Sequence, residues 1–148
     1  MDKTLGRSVI FGFLFSIFLS AVGFAGNHYW LGRDWADAHG VMAQIPLPYP
    51  RWIRELISIS FDPIYAIVMF WIFSKFTDRS FLAALKLTVW FWVVALVSLY
   101  LAMVNSMMIP WEVSVKTCIV GLVGALPAAL VMPLVFPNRL GDKGARAP

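Results

Sequence analysis

Four long stretches of the chain are almost free of polar side chains, at about residues 9–26, 56–74, 81–104 and 117–136. A bilayer crossing takes about 20 mostly apolar residues, wound into helix because hydrocarbon offers no partner to an unpaired N–H or C=O. Only residues 75–80 separate the second stretch from the third, so those two form an antiparallel hairpin. The pattern predicts an all-α integral membrane protein, a four-transmembrane-helix antiparallel bundle in one domain over residues 1–148. A short interfacial segment is expected in the first external loop. Neither an internal repeat nor a low-complexity stretch is evident.

Composition agrees with this reading. Hydrophobic residues make up 60% of the 148 and charged residues 14%, with mean hydropathy +0.77. A soluble domain has an apolar share nearer half. Twelve basic residues against eight acidic give a net charge of +4. The basic residues sit at the ends of the apolar runs, so the partner they indicate is the lipid bilayer with its anionic surface, and not nucleic acid. Cys118 is the single cysteine, which excludes an internal disulfide and any CxxC-based redox or zinc site.

Lys and Arg positions orient the spans. One side receives Lys3, Arg7, Lys75, Arg79, Arg139, Lys143 and Arg146, with Lys86 just inside the third span, and the other receives Arg33, Arg51, Arg54 and Lys116. Eight against four places both termini in the cytoplasm, in the manner of a bacterial inner-membrane protein. Lys3 and Arg7, an apolar run and then Gly23-Phe24-Ala25 also fit a secretory signal with a small-x-small cleavage site. The length of the run and the interfacial pair Tyr29-Trp30 favour a retained span. In the loop of residues 27–55, Trp30, Trp35, Tyr49 and Trp52 read as interfacial anchors. Pro46, Pro48 and Pro50 favour an extended stretch, residues 51–59 the start of a helix along the interface that turns into the second span, and residues 138–148 a disordered tail.

Asp62 is the chief chemical candidate. Counted along a helix from Leu56 it lies roughly 9 Å inside its span, and intramembrane carboxylates are costly enough to mark function. Ser20, Ser98 and Lys116 fall at similar depth on the other spans and are its expected partners. The competing role is structural, with Asp62 as N-cap and Pro63 as the first helical residue. A helix starting there would span only about 21 Å to Phe76, so a kinked helix running through Pro63 is expected. It frees the Ile59 carbonyl, with Ser58 or Ser60 to satisfy the local backbone.

Weaker candidates surround it. His28, Asp34, Asp37 and His39 are metal-ligand types without an established spacing, and Met103 and Met107 lie one turn apart, a spacing suited to Cu(I). Trp90 and Trp92 sit mid-span, where an indole can stack on a lipophilic cofactor or simply pack. Gly121, Gly124 and Ala128, with Ala125 and Ala129, form a small-residue face for helix packing or oligomerisation, as do Gly23 and Gly26 on the first span. Pro127 and Pro133 should bend the last span. The chain has no HExxH, no phosphate-binding glycine loop and no acid in the first span of the small multidrug-exporter kind.

The exit of the first span reads Gly26-Asn27-His28-Tyr29-Trp30-Leu31-Gly32-Arg33-Asp34-Trp35. This resembles uncharacterised small bacterial four-span proteins, in which an apolar first helix ends in aromatic or His residues before a hydrophobic-Gly-basic-x-Trp turn. The resemblance implies the fold and carries over no catalytic residue. Functionally, small-residue faces and few buried ionisable groups lead us to expect a non-enzymatic membrane protein without a cofactor, acting by association as a homo-oligomer or with a membrane-protein partner. The rivals are a small transporter or channel using Asp62, and a binder of a lipophilic cofactor or copper.

Overall fold

The computed structural model describes residues 3–43, 50–106 and 108–137, and among them it is helical with no strand. Helix α1 (Lys3–Gly26) runs into a π-turn at Asn27–Leu31, and α2 is Arg33–Ala43. Helix α3 (Arg51–Ser74) is followed by α4 (Phe81–Phe91), a π-turn at Trp92–Val97 and α5 (Ser98–Asn105), then α6 (Trp111–Ala125) and α7 (Ala128–Val135). Three helical segments, Lys3–Leu31, Phe81–Asn105 and Trp111–Val135, are long and apolar enough to cross a membrane, and Ile59–Ser74 is a shorter apolar helix. Several expectations concern residues outside this description: the extended reading of Pro46 and Pro48, Tyr49 as an anchor, Met107, and the tail with Arg139, Lys143 and Arg146. The side chains of His39, Arg51, Arg54 and Ser58 lie outside it too.

The helix boundaries follow from local chemistry and correct some expectations. Helix α3 is continuous through Pro63, so Asp62 is not a cap, and the helix expected to begin at residues 51–59 runs on into the second apolar stretch. Ser60 Oγ donates to Ile57 O at 3.0 Å, not to the carbonyl of Ile59. The first loop, where a short interfacial segment is expected, contains α2, entered at Gly32 with φ +53°, a conformation that glycine alone adopts cheaply. Helix α6 starts at Trp111 behind Pro110, six residues before the expected 117. A turn at Leu126-Pro127 then separates it from α7, which contains Pro133.

The tight turn at residues 75–80 is built by three side chains. Ser80 caps α4 by accepting from Ala83 N at 3.3 Å, and Asp78 accepts from Ser80 N and Oγ at 2.9 and 3.0 Å. Arg79 donates to the carbonyls of Ser74, Phe76 and Pro137 at 2.6, 3.1 and 3.4 Å. It thereby ties the end of α3 to the exit of α7, since a helix C-terminus leaves carbonyls that a guanidinium can satisfy.

Two apolar clusters hold the helices together. The larger, at the end carrying this turn, includes Phe15, Met69, Phe70, Phe73, Ala84, Ala128 and Met132. The smaller, near the first loop, comprises Leu31, Ala38, Ile109, Val113 and Val120. Helices α1 and α3 share the most extensive contact. Buried on α1 are Ser8, Gly12, Phe15 and Ser16, so small residues recur every fourth position along the seam. A Cβ on Gly12 would come within 2.6 Å of Ile67 Cα and 2.8 Å of its N, so here the two backbones nearly touch. Away from this seam the long helices turn apolar side chains outward. In the three longest apolar segments only 17%, 11% and 33% of the most hydrophobic window is buried, and Phe24, Ile59 and Leu134 are 72%, 76% and 81% exposed. Apolar surface on that scale marks a face that meets a membrane or another protein.

Candidate functional site

Most hydroxyls inside the apolar helices are bonded to their own helix. Ser8, Ser16, Ser74, Thr88 and Thr117 donate to Thr4 O, Phe13 O, Trp71 O, Ala84 O and Val113 O at 2.5–2.9 Å, the usual way to satisfy a short hydroxyl within a helix. Ser20 differs. Its Oγ donates across the α1–α3 interface to Asp62 Oδ2 at 2.6 Å, a short bond typical of a charged acceptor. Depth matching along the spans pairs these two residues correctly.

The same reasoning fails for the other two expected partners of Asp62. Lys116 reaches Asp34 Oδ2 at 3.2 Å, linking α6 to α2. Because α6 begins at Trp111, Lys116 lies in its second turn, within reach of α2. Ser98 donates both N and Oγ to Val93 O, the latter at 3.1 Å, because the π-turn leaves that carbonyl one residue further back than in an α-helix. With 34% and 55% of their side chains exposed, Lys116 and Asp34 form a pair that solvent screens. A double-mutant cycle on the two alanine variants, read by thermal melting in detergent, should give a coupling of at most about 1 kcal/mol that falls with added salt.

Asp62 and Ser20 line a cavity of about 560 Å³ lying between the two apolar clusters. Its wall includes Asn27 and Phe24 from the α1 side, Trp35 from α2, Phe61 and Tyr65 from α3, Tyr100 from α5, and Thr117 and Gly121 from α6. The volume falls within the ~300–1,000 Å³ of sites that enclose small molecules. Two polar atoms in the wall residues, Asn27 Oδ1 and Tyr65 Oη, are buried without a hydrogen-bond partner, a cost of about 1–3 kcal/mol each unless something meets them. Asp62 has no cationic partner among the described residues. Helical spacing could have found these residues: Tyr65 lies three positions after Asp62, and Asn27 two turns after Ser20, on the same faces. Tyr100 and Trp35 had no comparable signal.

The remaining candidates have structural occupations. Trp92 Nε1 donates to Cys118 O at 2.8 Å, fastening the π-turn to α6, while Trp90 points outward, 66% exposed. Replacing Trp92 by phenylalanine should therefore lower stability by about 0.5–1.5 kcal/mol, seen as a lower melting temperature. His28 stacks on Phe24 at 5.8 Å and meets Tyr29 edge-on at 4.8 Å. Met103 packs on the Leu31 cluster. Among the described residues no three His, Cys, Asp or Glu side chains gather where a metal could sit.

The small-residue face belongs to the chain's own seam. A Cβ on Gly121 would strike Leu96 Cδ2, one on Gly124 would touch Leu19 and Val22 at 3.4 Å, and Ala128 is fully buried in the larger cluster. Gly26 is likewise closed off by Val120. A Cβ on Gly23 would meet nothing within 4 Å, so that glycine makes no close helix contact among the described residues. Comparisons of the chain with protein-family models, curated proteins and solved structures returned no match.

Proposed function

We propose that this is a small integral membrane protein crossing the bilayer four times, with both termini cytoplasmic, that binds and moves an amphiphilic cationic solute through the Asp62 cavity. The observation that carries this reading is a carboxylate bonded by Ser20 in a cavity of about 560 Å³ whose lining is mainly apolar and aromatic. A carboxylate in low dielectric needs a counter-charge. Lys116, the nearest expected cation, is committed to Asp34, which leaves that part to the cationic group of a solute or to a proton. The aromatic wall suits the solute's apolar body, and the unpartnered Tyr65 Oη and Asn27 Oδ1 suit its polar edge.

Membrane insertion is supported by the three long apolar segments with their outward apolar faces. The fourth crossing rests on α3, whose 24 residues reach about 36 Å at 1.5 Å each. Association through Gly121, Gly124 and Ala128 loses its basis once those residues are used within the chain. Reconstitution in liposomes tests the proposal: flux of amphiphilic amines should exceed that of empty vesicles and disappear in Asp62→Asn. Equal flux with and without the protein, over a broad panel of cationic solutes, would sink it.

A further inference from the structure

A second cavity, of about 210 Å³, opens at the opposite end of the molecule from the first loop. Lys3, Thr4 and Arg7 from the first turns of α1, Arg79 from the α3–α4 turn, and Phe136 and Pro137 from the exit of α7 form its wall. Three of these six side chains are cationic, and no described acidic residue is among them. Asp78, the acid adjoining Arg79 in sequence, accepts from Ser80. The guanidinium of Arg79 is fixed by carbonyls of Ser74, Phe76 and Pro137, so one charge of the site is held rigidly before any ligand arrives. Lys3 and Arg7 are exposed and have no hydrogen bond or ion pair among the described residues, so both can turn toward an anion.

We infer that this cavity is a binding site for a phosphate group, supplied either by the headgroup of an anionic lipid or by a free phosphate. The chemistry is that of guanidinium and ammonium donors converging on phosphate oxygens. The volume is smaller than the ~300 Å³ at which a site begins to enclose a whole small molecule, and it suits a headgroup. Basic pockets between helices at the cytoplasmic surface are a recognised seat for such groups. Phe136 and Pro137 provide an apolar border of the kind a glycerol backbone would follow.

The test is thermal melting of the full chain in neutral detergent, with added phosphatidylglycerol, phosphatidylcholine or inorganic phosphate, for the native protein, Arg7→Gln and Lys3→Gln/Arg7→Gln. Melting without additive should be the same in all three, since neither side chain holds the fold. Phosphatidylglycerol should raise the native melting temperature saturably. The apparent affinity should fall about five-fold for each charge removed. Stabilisation by phosphatidylglycerol alone assigns the site to lipid, and stabilisation by inorganic phosphate at millimolar concentration assigns it to free anion. Either supports the inference. It is overturned if neither anion stabilises the native protein more than phosphatidylcholine does, or if the double variant responds as the native protein does. The assay needs no solute at Asp62, so its outcome is separable from that of the flux experiment.

Discussion

Substituting Gly12 should damage this protein more than substituting any other glycine in α1. Gly12→Ala places a methyl group 2.6–2.8 Å from the Ile67 backbone, and backbone cannot rotate aside as a side chain can. Helices α1 and α3 must separate or slide, and their contact is the most extensive in the molecule. Overpacking of a tight interior costs about 1–3 kcal/mol, and Gly12→Leu should exceed that range and leave little folded protein. Gly23→Ala is the matched control. It has open space for the methyl and replaces a poor helix former by the best one, so it should be neutral or stabilising by up to about 1 kcal/mol. Thermal melting of the three variants in one detergent checks the ordering. Equal losses for Gly12→Ala and Gly23→Ala would show that the two helices do not pack at Gly12.

The second large effect is expected at the cavity. Asp62→Asn keeps the shape of the side chain and still accepts from Ser20, so the α1–α3 seam should survive with a stability change within about 1 kcal/mol. What it removes is the charge. A cationic group that has left water for this cavity then meets no anion, and unpaired burial of that kind costs several kcal/mol. Affinity for an amphiphilic amine should fall by at least about ten-fold, since each 1.4 kcal/mol is a factor of ten. Ser20→Ala provides the graded counterpart. It leaves the charge and removes one donor, and should weaken binding by a smaller factor. A ligand whose affinity is the same in Asp62→Asn and the native protein is not held by this carboxylate.

The helical fold was legible because apolar runs long enough to cross a bilayer leave so few alternatives, and length arithmetic also resolved Pro63: too little helix remained beyond it for a fresh start. The Ser20–Asp62 bond was accessible for the same reason, since rise per residue converts sequence position into depth. Lys116 shows where that arithmetic fails. An error of six residues in the start of α6 moved it past Asp62 and toward Asp34, and α2 is too polar on average to stand out, although Trp35, Ala38 and Met42 fall at helical spacing. The π-turns at Asn27–Leu31 and Trp92–Val97 have no composition of their own, and they decide what Ser98 and Trp92 can reach. The α1 seam escapes a search for glycine pairs. Ser8, Gly12 and Ser16 repeat every fourth residue, and in an apolar helix a serine bonded to its own carbonyl is as small a surface as alanine.

Asp62 is expected to anchor a cationic solute in a ligand-sized cavity. Titrating the native protein and Asp62→Asn in nanodiscs with an amphiphilic aromatic amine, followed by tryptophan fluorescence, tests it most directly, because Trp35 lines the cavity. The native protein should show a saturable quench at one amine per chain, and Asp62→Asn should lose it. A quench that rises without saturation, or that is identical in the two proteins, contradicts that anchoring role.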